Sequence, residues 1–225
     1  MPRESQSAKA DRVLRIIEGL RKAYPHAHCE LRYRTPLELL VATILSAQCT
    51  DKQVNIVTEA LFQKYRNARD YADAALTDLE QDVRRIGLYR NKAKNIQAAC
   101  RELVSRYGGD VPKTMESLTA LAGVGRKTAN VVLGNAFNIH VGVVVDTHVG
   151  RLSHRLGLTQ EESPQKIEQV LMTLVPRSDW TQFSHWLIWH GRRRCGARKP
   201  DCAGCEVRSL CPSADLKITA SASLK

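Results

Sequence analysis

The chain has 225 residues, 43% of them hydrophobic, enough to bury a real core and to divide into two compact parts. No apolar run approaches the ~18 residues a membrane span needs, and Met1 to Ala10 lacks the apolar stretch of a signal peptide, so a soluble, intracellular protein with no membrane partner is expected. Lysine and arginine number 34 against 23 acidic residues, a net charge of +11 that attracts polyanions and releases their counterions on binding. Val13, Ile16, Ile17 and Leu20 recur at helical spacing and predict an amphipathic first helix ending before Pro25. Thr35-Pro36-Leu37-Glu38 reads as a capping box with proline at the first helical position, opening a helix to about Gln48. Thr50 or Asp51 caps the next, to about Tyr65. A second capping box, Thr77-Asp78-Leu79-Glu80, predicts a helix ending near Gly87, and a longer one from about Asn91 to Tyr107 stops at Gly108-Gly109.

Two glycines one residue apart, in Leu121-Ala122-Gly123-Val124-Gly125, precede a helix with the core stripe Ala129, Val132, Leu133 and Ala136. Such a turn bares backbone N–H groups at the positive end of a helix dipole and suits a phosphate, although the same pattern also serves as a plain helix start. Lys127 stands in the first turn of that helix. Ile139 to Val145 is β-branched and would pass for a strand, yet it has no partner run and is expected to be an extended connection. An isolated acid follows in Val145-Asp146-Thr147-His148, where His148 either lines a pocket or caps its helix. Ser163-Pro164 starts a helix to about Val175, and Asp179 one that carries Trp180, Trp186 and Trp189. Cys195, Cys202, Cys205 and Cys211 are spaced C-x6-C-x2-C-x5-C, a crowding that favours a metal over disulfides where thiols stay reduced, and four thiolates suit zinc or an iron–sulfur cluster. Cys29 and Cys100 read as small packing residues, and residues 213–225 as a loose tail.

The run from Leu121 to Leu133, with Val145-Asp146-Thr147-His148-Val149 and Arg151, resembles the helix-hairpin-helix and Gly/Pro-Asp signature of the endonuclease III family of DNA glycosylases. Matching segments extend from about Thr35 to Cys211, and Ala122 stands where the family usually has proline. The resemblance implies an all-α fold of two helical lobes flanking a DNA-binding cleft. One lobe would be a six-helix barrel with the helix-hairpin-helix over residues 30–139. The other would join residues 1–29 to 140–225 and carry a cluster loop at residues 195–211. Lys127 would face the cleft from the barrel and Asp146 from the second lobe.

The same resemblance assigns a [4Fe–4S] cluster to Cys195, Cys202, Cys205 and Cys211, and DNA contacts to Gly123 and Gly125. Gln48, in Leu45-Ser46-Ala47-Gln48-Cys49-Thr50-Asp51, would enter the hole left by a flipped base. Leu88, in Gly87-Leu88-Tyr89-Arg90-Asn91-Lys92-Ala93, would wedge into the opposite strand. Each has a plainer role open to it, Gln48 as a polar helix end and Leu88 as core. The implied activity is base excision repair: a bifunctional DNA glycosylase and abasic-site lyase removes oxidised pyrimidines through a Lys127 Schiff base, with Asp146 assisting, and β-elimination breaks the strand. The expected partner is double-stranded DNA with damaged bases or abasic sites, met by a monomer in the cytoplasm at the nucleoid. Arg198 and Lys199, pinned between cysteines, would grip the DNA backbone, or else form a solvated charge run. Two alternatives stay open: an adenine-mismatch glycosylase, which lacks a lysine at the position of Lys127, and a non-catalytic helix-hairpin-helix module.

Overall fold

The computed structural model describes residues 4–214, so the expected tail lies outside the described residues from residue 215 on. Helix α1 spans Gln6–Ala23; α2 Pro36–Ser46, α3 Asp51–Lys64, α4 Ala68–Asp73, α5 Leu76–Asp82, α6 Tyr89–Tyr107, α7 Met115–Thr119 and α8 Arg126–Ala136 follow, then α9 Thr147–Arg155, α10 Pro164–Leu174 and α11 Trp180–Arg193. Among the described residues there is no strand, and the architecture is all-α. Two compact units divide the chain, Cys29–Val141 and Met1–His28 with Gly142–Lys225.

In the unit Cys29–Val141, α2 is the innermost helix, buried from Leu39 through Leu45 and packed against α3, α6 and α8. Each of its fully buried leucines, Leu39, Leu40 and Leu45, contributes about 1.5–3 kcal/mol by leaving water. Thr35 caps it by accepting the Glu38 N–H, but the box closes one residue early, since the Glu38 carboxylate takes the N–H and guanidinium of Arg34. The helix stops at Ser46, two residues short of Gln48. The box expected at Thr77 does not form: α5 begins at Leu76 behind Ala75 with no side-chain cap, which leaves Thr77 inside the first turn, and it ends at Asp82. A complete box lies earlier, where the Asn67 side chain accepts the Asp70 N–H and the Asp70 carboxylate the Asn67 N–H, and it opens the short α4. Asparagine and aspartate replace the usual Ser/Thr and Glu there, and one turn and a half of helix carries too little periodicity to read. Helix α6 starts at Tyr89, two residues before the expected position, and buries Cys100 as a packing residue.

In the other unit, Val13, Ile16, Ile17 and Leu20 of α1 are buried against α10, α11 and the segment at Val207. The approach is close enough that a Cβ at Gly19 would stand 3.0 Å from a Val207 methyl. Val143 to Val145 is extended and buried, and Val144 N–H donates to Ser184 Oγ at 3.0 Å in place of a sheet partner. Asp179 gives α11 no side-chain cap, because its carboxylate is turned to Arg21. Trp186 and Trp189 are buried, while Trp180 is half-buried with its indole N–H on the Val175 carbonyl.

Candidate functional site

Helices α7 and α8 form a hairpin whose turn is set by Gly123. Its φ of 75° lies in the left-handed region, and a Cβ there would come 2.8 Å from Asn95 Cβ, so glycine is required twice over. Gly125 is different: its φ of −90° and ψ of 175° suit any residue, and nothing lies within 4 Å of an added Cβ. Folding does not demand glycine at 125. Helix α8 also starts without the side-chain cap that opens α1, α2, α3 and α7. Arg126 and Lys127 are exposed in its first turn, while Ala129, Val132 and Leu133 are buried and Ala136 half-buried. Gly123→Ala is therefore expected to cost about 2–4 kcal/mol of stability. Gly125→Ala should stay within about 1 kcal/mol of the parent, and yet lose duplex DNA affinity in a titration at fixed salt.

Gln48 and Leu88 lie on two loops of the same unit. Leu88 is 59% exposed, so it is not core, and Gln48 is exposed beyond the end of α2 rather than capping it. Both have left-handed backbones, with φ of 53° and 57°. For a residue with a Cβ this costs roughly 1–2 kcal/mol. Between the loops lies Lys92, a buried lysine that burial holds below the usual lysine range, with Cys49 opposing the shift. The sequence carries a signal for it: Lys92 falls in line with Ile96, Ala99 and Leu103 on the apolar face of α6, an unusual place for a charge.

Asp146 is the N-cap of α9, one carboxylate oxygen accepting the N–H groups of His148 and Val149, both at 2.8 Å. His148 is half-buried, and its Nδ1 stands 3.3 Å from an Arg151 nitrogen. Burial moves His148 below the usual histidine range, against the pull of Asp146. The sequence does not foretell that α9 also holds the cysteine loop. Arg151 donates to the carbonyls of Gly191 and Cys195, and Arg155 to Gly196 and Ala197 and to Cys195 Sγ at 3.2 Å.

Cys195, Cys202, Cys205 and Cys211 line one cavity, walled by Leu152, Leu156 and Val207. Burial pushes the Cys205 thiol up to about 11 and raises Cys211 as well, a bias that a bound cation removes by taking the thiolate. Among the described residues, the one set of three His, Cys, Asp or Glu ligand atoms within 4.8 Å of one another is His190, Cys205 and Glu206; no three of the four sulfurs come that close. A tetrahedral zinc with sulfurs at about 2.3 Å would draw them to about 3.8 Å. Four thiols that line one cavity form a donor set that suits an iron–sulfur cluster. His190 is engaged with Tyr24 through Nδ1 and faces Cys205 Sγ through Nε2. Arg198 and Lys199 are exposed on the loop whose carbonyls Arg155 holds. The basic run before them divides: Arg193 lies 3.6 Å over the Trp189 ring and Arg194 is tied to Asp201 and Glu206.

Comparison with known proteins accounts for nearly the whole chain. The family described as HhH-GPD superfamily base excision DNA repair protein matches residues 41–177. An endonuclease III of Synechocystis sp. is 54% identical over 208 residues, 92% of this chain and 95% of that protein. Solved structures of an endonuclease III, one in a non-covalent DNA complex and one as a trapped DNA covalent intermediate, match with TM-scores of 0.86 at 46% identity, covering 91% of this chain and 96% of theirs. The hairpin, the acid at the start of α9 and the cysteine loop thus sit in a chain that belongs to the HhH-GPD superfamily of base excision DNA repair proteins, and within it to the endonuclease III family.

Proposed function

We propose that this protein is a bifunctional DNA glycosylase and abasic-site lyase that removes oxidised pyrimidines from duplex DNA. The observation that carries this reading is Lys127: an exposed amine in the first turn of α8, directly behind the Gly123–Gly125 turn, in a chain 46% identical to an endonuclease III trapped covalently on DNA. A covalent intermediate needs a nucleophile, and the turn is built to hold the phosphate beside it.

The damaged nucleotide leaves the stack, Gln48 filling the gap and Leu88 wedging into the opposite strand. The neutral Lys127 amine attacks C1′, the C1′–base bond breaks, and its electron pair and a proton leave with the base. Ring opening gives an imine between Lys127 and the sugar. The Asp146 carboxylate, fixed by two main-chain N–H groups, assists loss of the amine proton and stabilises positive charge on the sugar. The imine acidifies the C2′ proton; its removal expels the 3′ phosphate, and hydrolysis of the imine frees the enzyme. Cys195, Cys202, Cys205 and Cys211 would hold a [4Fe–4S] cluster, whose contribution when bound is to staple a loop with little core of its own.

Arg198 and Lys199 then contact phosphates without reading bases. Neutralising both should weaken damaged and undamaged duplex alike and flatten the slope of log affinity against log salt by up to about two units. An unchanged slope with intact iron content assigns the loop no contact with DNA. The decisive experiment for the function is a panel of duplexes, each with one damaged base, scored separately for base release, nicking and borohydride trapping. Release, nicking and a trapped adduct on oxidised pyrimidines are expected. Release without nicking indicates a monofunctional glycosylase, and binding without release a non-catalytic module.

A further inference from the structure

The two side chains assigned to the DNA stack, Gln48 and Leu88, sit on separate loops, and each is held in a backbone conformation that its own sequence does not favour. Lys92 is bonded to both loops. It lies in the first turn of α6, 4% exposed. Its ammonium donates to the Leu45 carbonyl at 2.9 Å and to the carbonyl of Ala47, the residue before Gln48, at 2.5 Å. These carbonyls form the negative end of the α2 dipole, where a cation is stabilised. The backbone N–H of the same residue makes the opening i→i−4 bond of α6, to the carbonyl of its N-cap Leu88 at 3.2 Å, so the ammonium is fixed to the helix turn that Leu88 begins. Between the two loops the space is small, since a Cβ at Gly87 would stand 3.9 Å from the Gln48 carbonyl oxygen. One residue therefore anchors the Gln48 loop by its side chain and the Leu88 loop by its main chain.

We infer that Lys92 is a positioning residue that makes Gln48 and Leu88 a single element, so that filling the vacated stack and wedging the opposite strand occur together; this presupposes the DNA-inserting role proposed above for both side chains. A buried ammonium directed at main-chain oxygens is a poor device for stability alone, because a methionine would fill the same space without desolvating a charge. It is a good device for fixing register between two loops.

The test measures single-turnover base release from one lesion in two settings, a fully paired duplex and a strand where the lesion is already unstacked. Lys92→Met should slow release in the paired duplex by about tenfold or more while changing the unstacked substrate less than about threefold. Equal losses on both substrates overturn the inference. A second measurement leaves Lys92 in place: in a double-mutant cycle of Gln48→Ala and Leu88→Ala on the paired duplex, the second substitution should add little once the first is made. Multiplicative losses would show two independent side chains and overturn it even if Lys92→Met fails to fold. Borohydride trapping of the unaltered protein, run alongside, reports on the enzymatic role separately: a trapped adduct with a multiplicative cycle rejects only the coupling, whereas no adduct rejects the role itself.

Discussion

Lys127→Gln is expected to bind damaged duplex DNA as the parent does and to release no base, nick no strand and form no borohydride-trapped adduct. The side chain is exposed and lies outside the buried face of α8, so the hairpin keeps its packing and its melting temperature should move little. The phosphate clamp is made of backbone N–H groups, which the substitution leaves alone. What disappears is the atom that forms the bond, and the chemical step should slow by on the order of four decades or more. An adduct that persists in this variant assigns the nucleophile to another amine. Asp146→Asn should behave differently: the amide oxygen still accepts from His148 and Val149, binding persists, and turnover falls by about two or more decades. Normal single-turnover rates would remove Asp146 from the mechanism.

The second large effect concerns the cysteine loop. Protein made with ample iron and without oxygen should be yellow-brown and contain about four irons and four sulfides per chain. Single alanine replacements of Cys195, Cys202, Cys205 or Cys211 should remove the colour and most of the soluble yield, because without the group the loop has four half-buried thiols and few apolar contacts to hold it. Cys29→Ala, at a half-buried position in the other unit, should leave yield and colour unchanged. Stoichiometric zinc in such a preparation would overturn the iron–sulfur assignment.

The features legible from the sequence were those in which one residue type has one use. The paired glycines, the apolar stripe of α1 and the crowded cysteines each follow from local chemistry, and each is found at its position. Helix ends were harder. Thr77 offers the expected capping pattern, but the chain turns two residues earlier behind an alanine, because burial of Leu79 and Val83 sets the register of α5 and outweighs a cap worth about 1 kcal/mol. Gln48 and Leu88 have ordinary identities and unusual backbones, and neither residue type signals a left-handed conformation. Lys92, Arg151 and Arg155 escaped for a related reason: a cation is read as surface, yet these donate to carbonyls far along the chain.

The interrupted course of the unit formed by Met1–His28 and Gly142–Lys225 bears on how the protein emerges from the ribosome. Of the described helices, α1 leaves the tunnel first, but beyond residue 27 every other buried member of its core cluster is Val143 or later, ending at Val207. At about 5–20 residues per second, its apolar stripe waits roughly 10–40 s for a partner. An 18-residue helix is barely stable alone in water, so through that interval the segment is a fraying amphipathic strip. Meanwhile Cys29–Val141, continuous in the chain, can complete itself. Of the described helices, the first synthesised is thus among the last to be buried, and a chain cut short before its cysteines leaves that helix without the surface that Val207 provides.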